Sequence, residues 1–384
     1  MKVLTACLLA GVSLLARAAT IPTGFVKAYN QKFMLGSAEY TLVGSNSYWV
    51  GLTGLNSTEM NQAFADIAAT GATTVRTWGF NEVTAPINYG AYYQLWTNGT
   101  AAVNYGANGL QNFDMVVAAA KANGLRLIVT LTNNWSDYGG MDVYVSQILG
   151  AAGYHDDFYT NPTVIAAYKN YINAFVSRYE AEPGILAWEL CNEPRCTGSP
   201  GTQSGACSTA NLTITTWARE ISAYIKSIDS NHLVGLGDEG WFNEPSSPYY
   251  PYQGGEGIDF NANLAIYTLD YGTLHLYPFS WGQTTDPIGF GNMWITDHAT
   301  SQKNYNKPVI VEEFGVTNTQ NQTTTYTSWY STILSSGMTG DLIWQAGSYL
   351  PSGPTPNDGY TIYPNETTLY EMETQHAAAI KARG

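Results

Sequence analysis

Residues 185–194, Ile185-Leu186-Ala187-Trp188-Glu189-Leu190-Cys191-Asn192-Glu193-Pro194, run from a short apolar stretch into a polar end stopped by proline. An apolar run of this length, bounded by turn residues, reads as a strand buried on both faces, the kind that parallel sheets contain. Seven further segments share the design: 41–49, 73–78, 125–131, 232–237, 272–276, 308–313 and 341–345. Helical patterns separate most of them, at 57–69, 110–122, 161–179, 211–228, 294–303 and 323–335, with a last one at 367–381. Asn161-Pro162 opens one helix, and Gly71 and Gly124 close two others. Less regular chain follows the fifth strand. Strand alternating with helix implies a parallel sheet, and the count of eight implies closure, so the expected class is α/β, a single-domain (β/α)8 TIM barrel. An open doubly wound sheet is the alternative. No dinucleotide-binding glycine pattern follows the first strand, which weighs against it.

The composition sets outer bounds. The 384 residues carry a net charge of −14, only 12% are charged, and 13% are aromatic. Such a chain repels phosphate backbones, which argues against nucleic acid, and its 45% apolar content suffices for a large core. A surface made polar by Asn, Thr, Ser, Gly and Tyr suits a neutral, hydroxyl-rich ligand. Lys2, the apolar run Val3 to Leu15 and Ala16-Arg17-Ala18 read as a secretory signal over 1–18, leaving a domain over 19–384. The apolar run is too short to span a bilayer, so no membrane role is expected, and the localisation expected is extracellular. Secretion permits disulfides, and Cys196 and Cys207, which bracket a Gly/Ser/Pro-rich loop, are the expected pair, with Cys191 left as a buried thiol. Glycosylation acceptor patterns begin at Asn56, Asn98, Asn134, Asn211, Asn321 and Asn365.

In a barrel of this kind the chemistry lies at the C-terminal strand ends. Those ends carry Asn46-Ser47-Tyr48-Trp49, Arg76-Thr77-Trp78, Asn133-Asn134-Trp135, Asn192-Glu193-Pro194, Asp238-Glu239, His275-Leu276-Tyr277, Glu312-Glu313-Phe314-Gly315 and Trp344-Gln345. Glu193 and a Glu of the seventh strand would face each other across the mouth, as glycosidic bond cleavage requires. Alternation along the strand leaves open whether Glu312 or Glu313 enters it. Glu189 shares the parity of Glu193 and is expected to pair with Arg76. Asn243-Glu244-Pro245 repeats the tripeptide but follows no strand, so Glu244 reads as a loop residue.

Arg76, Asn192-Glu193-Pro194, His275-Leu276-Tyr277, Val311-Glu312-Glu313-Phe314-Gly315 and Trp344 resemble the pattern of glycoside hydrolase family 5. Residues 133–140 and Asn192-Glu193-Pro194-Arg195-Cys196 resemble its fungal endo-β-1,4-mannanase branch. The resemblance implies a retaining mechanism on β-mannan, with Glu193 as acid/base and Glu313 as nucleophile. It implies that Arg76 and Tyr277 bond the nucleophile, that Asn192 holds the sugar 2-hydroxyl and that His275 supports the acid/base. It makes Trp344 and Trp135 sugar platforms and places Arg195 on the leaving-group side, with Trp78 and Trp281 as further substrate-binding candidates. Where many members carry His after the third strand, this chain has Asn133 or Asn134. A glycan on a cleft-lining Asn134 would obstruct a polysaccharide, so that site is expected to be unmodified. The scattered histidines form no His-Glu-x-x-His pattern, and neither a metal nor a cofactor is expected. A monomer is expected. The competing expectations are an endo-β-1,4-glucanase on the same scaffold and a non-catalytic polysaccharide-binding protein.

Overall fold

The computed structural model describes residues 21–199 and 202–384, so the expected targeting segment lies outside the described residues. Eight strands form one parallel sheet: β1 (Leu42–Asn46), β2 (Thr74–Trp78), β3 (Arg126–Thr130), β4 (Ile185–Glu189), β5 (Leu233–Gly235), β6 (Gly272–Leu276), β7 (Val309–Phe314) and β8 (Gly340–Ile343). Hydrogen-bonded neighbours follow chain order, β5-β4-β3-β2-β1-β8-β7-β6. Across the remaining seam the Asp270 N–H donates to the Val234 carbonyl at 2.8 Å, and the His275 N–H donates to the Glu239 carbonyl at 3.1 Å. The Val234 N–H donates to the Asp270 carboxylate at 2.7 Å. These bonds draw the sheet into a nearly closed barrel.

The helices α1 (Ser57–Ala69), α2 (Leu110–Ala122), α3 (Pro162–Tyr179), α4 (Thr213–Ile228), α5 (Phe260–Leu264), α6 (Pro287–Tyr305), α7 (Gln322–Ser336) and α8 (Thr367–Arg383) follow the eight strands in turn. α3 opens at Asn161-Pro162 as the sequence implies, and α1 is capped by Asn56, just before the expected start at 57. The Asn56 side chain accepts from Thr58 and Glu59 N–H, and that of Asn161 from Thr163 and Val164 N–H. Two of these helices differ from the sequence reading, and a further one, Met141–Leu149, lies between β3 and α3 where no helix was expected. α5 occupies the less regular chain after β5, too short for a periodic signal. α6 begins at Pro287, capped by Asp286, and not at Trp294. Glycines hid its first turns: Gly291 lies against the α7 indole of Trp329, where an added Cβ would collide with Nε1, so close helix packing replaces the apolar stripe.

The sequence reading also missed a hairpin, Val26–Tyr29 with Lys32–Leu35. Val26 and Phe33 from this hairpin join Leu42, Ile128, Leu186, Leu233, Ile310 and Leu342 in the lower core and close the bottom of the barrel. Burying Phe33 alone contributes about 1.5–3 kcal/mol. The bottom is closed by this apolar cluster, and the open cleft lies at the top. Among the described residues no helix is long and apolar enough to cross a membrane.

Candidate active site

Arg76, at the centre of β2, organises the barrel mouth and has 1% of its surface exposed. Its Nε and Nη2 donate to the two Glu189 oxygens at 2.8 and 2.7 Å, the fork-on-carboxylate pairing expected from strand parity. Nη2 also donates to Asn192 Oδ1 at 2.7 Å, and Nη1 to Asn46 Oδ1 at 3.1 Å and to Glu313. One guanidinium thus ties together the ends of β1, β2, β4 and β7.

The question that alternation leaves open at β7 has a structural answer. Leu274 pairs with Val311 but His275 pairs with Glu313, so Glu312 is an extra residue in a β-bulge. The bulge cancels the alternation. Both glutamates reach inward: Glu313 meets Arg76 and accepts from the Tyr277 hydroxyl at 2.8 Å, while Glu312 lies 3.7 Å from Arg76 Nε. Glu313 borders the open cleft, whereas Glu312 is fully buried below it.

Glu193 follows β4 with a φ of 49°, a left-handed conformation that turns the chain sharply at the barrel rim. Its Oε1 lies 2.7 Å from His275 Nδ1, and its Oε2 accepts from the Trp135 indole N–H at 2.6 Å. A carboxylate oxygen of Glu193, one of Glu313 and a ring nitrogen of His275 lie within 4.8 Å of one another. That trio has the spacing to hold a cation, but the 2.7 Å contact and the hydrogen-bond donors on both carboxylates make it a proton-exchange set. Burial alone would raise Glu193, but the hydrogen bond and charge of His275, with Arg195 and Trp135, pull it down to about 2. Burial would lower His275, yet the charges of Glu313, Glu193 and Glu312 raise it well above the ordinary imidazole value. Burial raises Glu313, with His275, Arg76 and Tyr277 pulling the other way. At rest, the mobile proton of the Glu193–His275 pair therefore sits on the imidazole.

These groups border a cleft of about 660 Å³ lined also by Trp78, Trp135, Asn192, Arg195, Trp281 and Trp344. Of the residues singled out in the sequence, Arg76 and His275 stand behind the wall, not on it. Tyr48 stacks parallel to Trp344 at 5.7 Å, and Asp358 accepts from the Trp344 indole N–H at 2.7 Å, so the ring of Trp344 is held from two sides. Trp281 is 9% exposed and meets Trp241 and Trp294 edge-on, which makes it a cleft edge anchored in an aromatic cluster. The Arg195 fork pairs with both Glu239 oxygens at 2.5 and 2.6 Å, between the rings of Trp135 and Trp241 at 5.1 and 4.5 Å. Burial and the Glu193 charge raise Glu239 to about 7.

Asn133 lines the cleft and accepts from Asn192 Nδ2 at 3.0 Å. Asn134 turns away from it, fully buried. Cys196 and Cys207 form the expected disulfide, and Cys191 is the buried free thiol. Glu244 is an exposed loop residue, as the sequence context implied. The lining residues Asp137, Trp241, Tyr250, Ser280 and Tyr360 escaped the sequence reading because they sit on loops beyond the strand ends. Trp241, two residues past Asp238-Glu239, carried the clearest signal.

The model of the family described as cellulase (glycosyl hydrolase family 5) matches residues 43–349. The mannan endo-1,4-beta-mannosidase A of Aspergillus aculeatus is 44% identical over 364 residues, 94% of this chain and 92% of that protein. The protein of the same name from Podospora anserina is 41% identical over 93% of this chain and 91% of its own length. The crystal structure of the endo-1,4-beta-mannanase from Rhizomucor miehei superposes with a TM-score of 0.86 at 37% identity, covering 94% of this chain and 100% of that one. The fold, the strand-end residues and these likenesses agree, and the chain belongs to glycoside hydrolase family 5.

Proposed function

We propose that the protein is a secreted, monomeric, retaining endo-β-1,4-mannanase whose catalytic domain spans 19–384. It cleaves internal bonds of mannan, glucomannan and galactomannan. The observation that carries the retaining mechanism is the approach of Glu193 and Glu313 oxygens to within 4.8 Å. Retaining enzymes hold their carboxyls about 5–5.5 Å apart, and inverting ones leave about 6.5–9.5 Å for a water. The specificity rests on the likeness to fungal mannanases over most of the chain.

In the first step the Glu313 carboxylate attacks the anomeric carbon while the glycosidic oxygen takes a proton from Glu193 and departs. Arg76 and Tyr277 favour the ionised Glu313, and Asn192, its Oδ1 held by Arg76, keeps its amide beside the sugar 2-hydroxyl. In the second step Glu193 takes a proton from water, whose oxygen displaces Glu313. Trp344 and Trp135 supply flat apolar faces for the C–H faces of the sugars, and Trp78, Trp281 and Arg195 line the rest of the groove. Nothing in this chemistry calls for a cofactor.

The description of the matching family as cellulase favours a second reading, an endo-β-1,4-glucanase on the same scaffold. The test compares reducing-end release from mannan, glucomannan and soluble cellulose, with the first product followed by proton NMR. Mannan cleavage giving a β-anomeric end is expected. Cellulose preference refutes the specificity, and an α-anomeric first product refutes retention. Glu193→Ala and Glu313→Ala are expected to lose most turnover while melting as cooperatively as the wild type. An active Glu313→Ala beside an inactive Glu312→Ala would reverse the nucleophile assignment.

A further inference from the structure

Arg76 and His275 are buried among four carboxyls, those of Glu189, Glu193, Glu312 and Glu313. With Arg76 charged and the imidazole neutral, one cation against four ionised carboxyls would leave a net charge of −3 in a site largely closed to solvent, and a proton held on one carboxyl brings it to −2. Some of these carboxyls must therefore hold protons. The donors around each carboxyl decide which. Glu189 accepts from Arg76 twice and from Thr130 at 2.9 Å. Glu313 accepts from Arg76 and Tyr277, and Glu193 from His275 and Trp135. Among the described residues neither Glu312 oxygen has a hydrogen-bond partner, and neither has His275 Nε2, which lies 3.5 Å from Glu312 Oε2. Glu312 is thus the anion least stabilised by its surroundings. The other groups facing it are Arg76, Glu189 and the buried Tyr271 hydroxyl.

We infer that Glu312 is a buried proton store that, acting through the two nitrogens of His275, switches Glu193 between its base and acid forms. In the base form Glu312 carries its proton toward Nε2, and the Nδ1–H donates to the Glu193 carboxylate. Moving the Glu312 proton to Nε2 and the Nδ1 proton to Glu193 gives the acid form. An O–H bond breaks at Glu312 and one forms at Glu193, an N–H bond forms at Nε2 and one breaks at Nδ1, and the imidazole is neutral in both end states. After the donation Glu312 and Glu193 are both ionised and the imidazole keeps one N–H; the attacking water then gives its proton to Glu193, which restores the acid form, and the reverse transfer through His275 refills Glu312. Burial and the Glu189 charge push Glu312 up to about 8, which keeps the store filled at the pH where Glu193 alone would be empty. Glu312 is a positioning residue in this scheme, since it reaches the substrate only through His275 and Glu193.

The inference rests on the mannanase reading, and its test separates the two. Glu312→Gln keeps the shape and loses the transferable proton. With mannopentaose, kcat is expected to fall about tenfold to a hundredfold, and the basic limb of kcat/KM to move to lower pH. With a dinitrophenyl β-mannobioside, whose leaving group departs without a proton, kcat is expected to hold within about threefold. Equal losses on both substrates would mean a structural role and overturn the relay, as would an unchanged pH profile. A wild-type measurement stands independently of how the variant folds: kcat for mannopentaose in mixed light and heavy water should curve with deuterium content, because two protons move together. A straight line overturns the relay. A wild type inactive on mannan removes both readings, whereas an active wild type with an indifferent Glu312→Gln removes this one alone.

Discussion

Replacing Asn134 by Ala tests how the cleft is held together. The Asn134 side chain bridges the loops after β3 and β4: Oδ1 accepts from His155 Nε2 at 2.9 Å and from the Arg195 N–H at 3.0 Å, and Nδ2 donates to the Thr197 carbonyl at 3.1 Å. Alanine leaves three partners in a region closed to water. At about 1 kcal/mol for each, the loss comes to about 3 kcal/mol. With an unfolding entropy of about 2.1 cal/mol/K per residue over a chain of this length, Tm falls by about 4 °C. Because Arg195 is anchored through the lost bond, its stack between Trp135 and Trp241 loosens and KM for mannan rises more than kcat falls. Scanning calorimetry and mannan kinetics measure the two effects. The same geometry leaves the Asn134 amide no freedom to carry a glycan, in contrast to the exposed Asn98, Asn211, Asn321 and Asn365. A Tm within about 1 °C of wild type, or a glycan found on Asn134 by mass mapping, would refute the clamp.

Stability should fall as pH rises from about 5 to 8. Burial raises Glu82 and Glu312 to about 8, so the folded chain holds protons there that the unfolded chain has released, costing about 1.4 kcal/mol per pH unit for each group. Glu193 acts with the opposite sign, its stabilisation being lost as pH falls below the ordinary carboxyl value toward about 2. Melting curves between pH 4 and 9 check this, and a Tm that climbs from pH 5 to 8 contradicts it. Removing the disulfide by Cys196→Ser and Cys207→Ser, a sequence separation of 11, should cost about 3 kcal/mol, read as a lower urea midpoint. An unchanged midpoint would show that the Arg195–Glu239 pair, with Thr197 Oγ1 and the Cys196 N–H donating to Glu256, already holds that loop.

The eight strands were legible because a strand buried on both faces needs an unbroken apolar run, and each run here ends in polar residues that have to reach solvent or substrate. Arg76 with Glu189 was legible for a simpler reason: a charge inside such a run has to find its opposite, and strand parity names the partner. The hairpin under the barrel was not, since short antiparallel strands of mixed polarity have no period of their own and acquire their meaning from Val26 and Phe33 meeting the barrel floor. α6 was misread because its first turns carry no apolar stripe: Gly291 answers to Trp329 of α7, a contact no local pattern records, and the Asp286-Pro287 cap is the local signal that marks its start.

The residues by themselves determined the alternation of strand and helix, the gathering of Glu193, Arg76, His275 and Tyr277 at one end, and the pairing of Cys196 with Cys207. Periodicity and spacing along the chain encode these directly. Only the tertiary structure decided that a bulge between β6 and β7 turns both Glu312 and Glu313 inward, that Asn134 is a clamp while Asn133 faces the cleft, and that Glu239 holds Arg195. Each of those depends on register or on contact between distant segments, which no local pattern records.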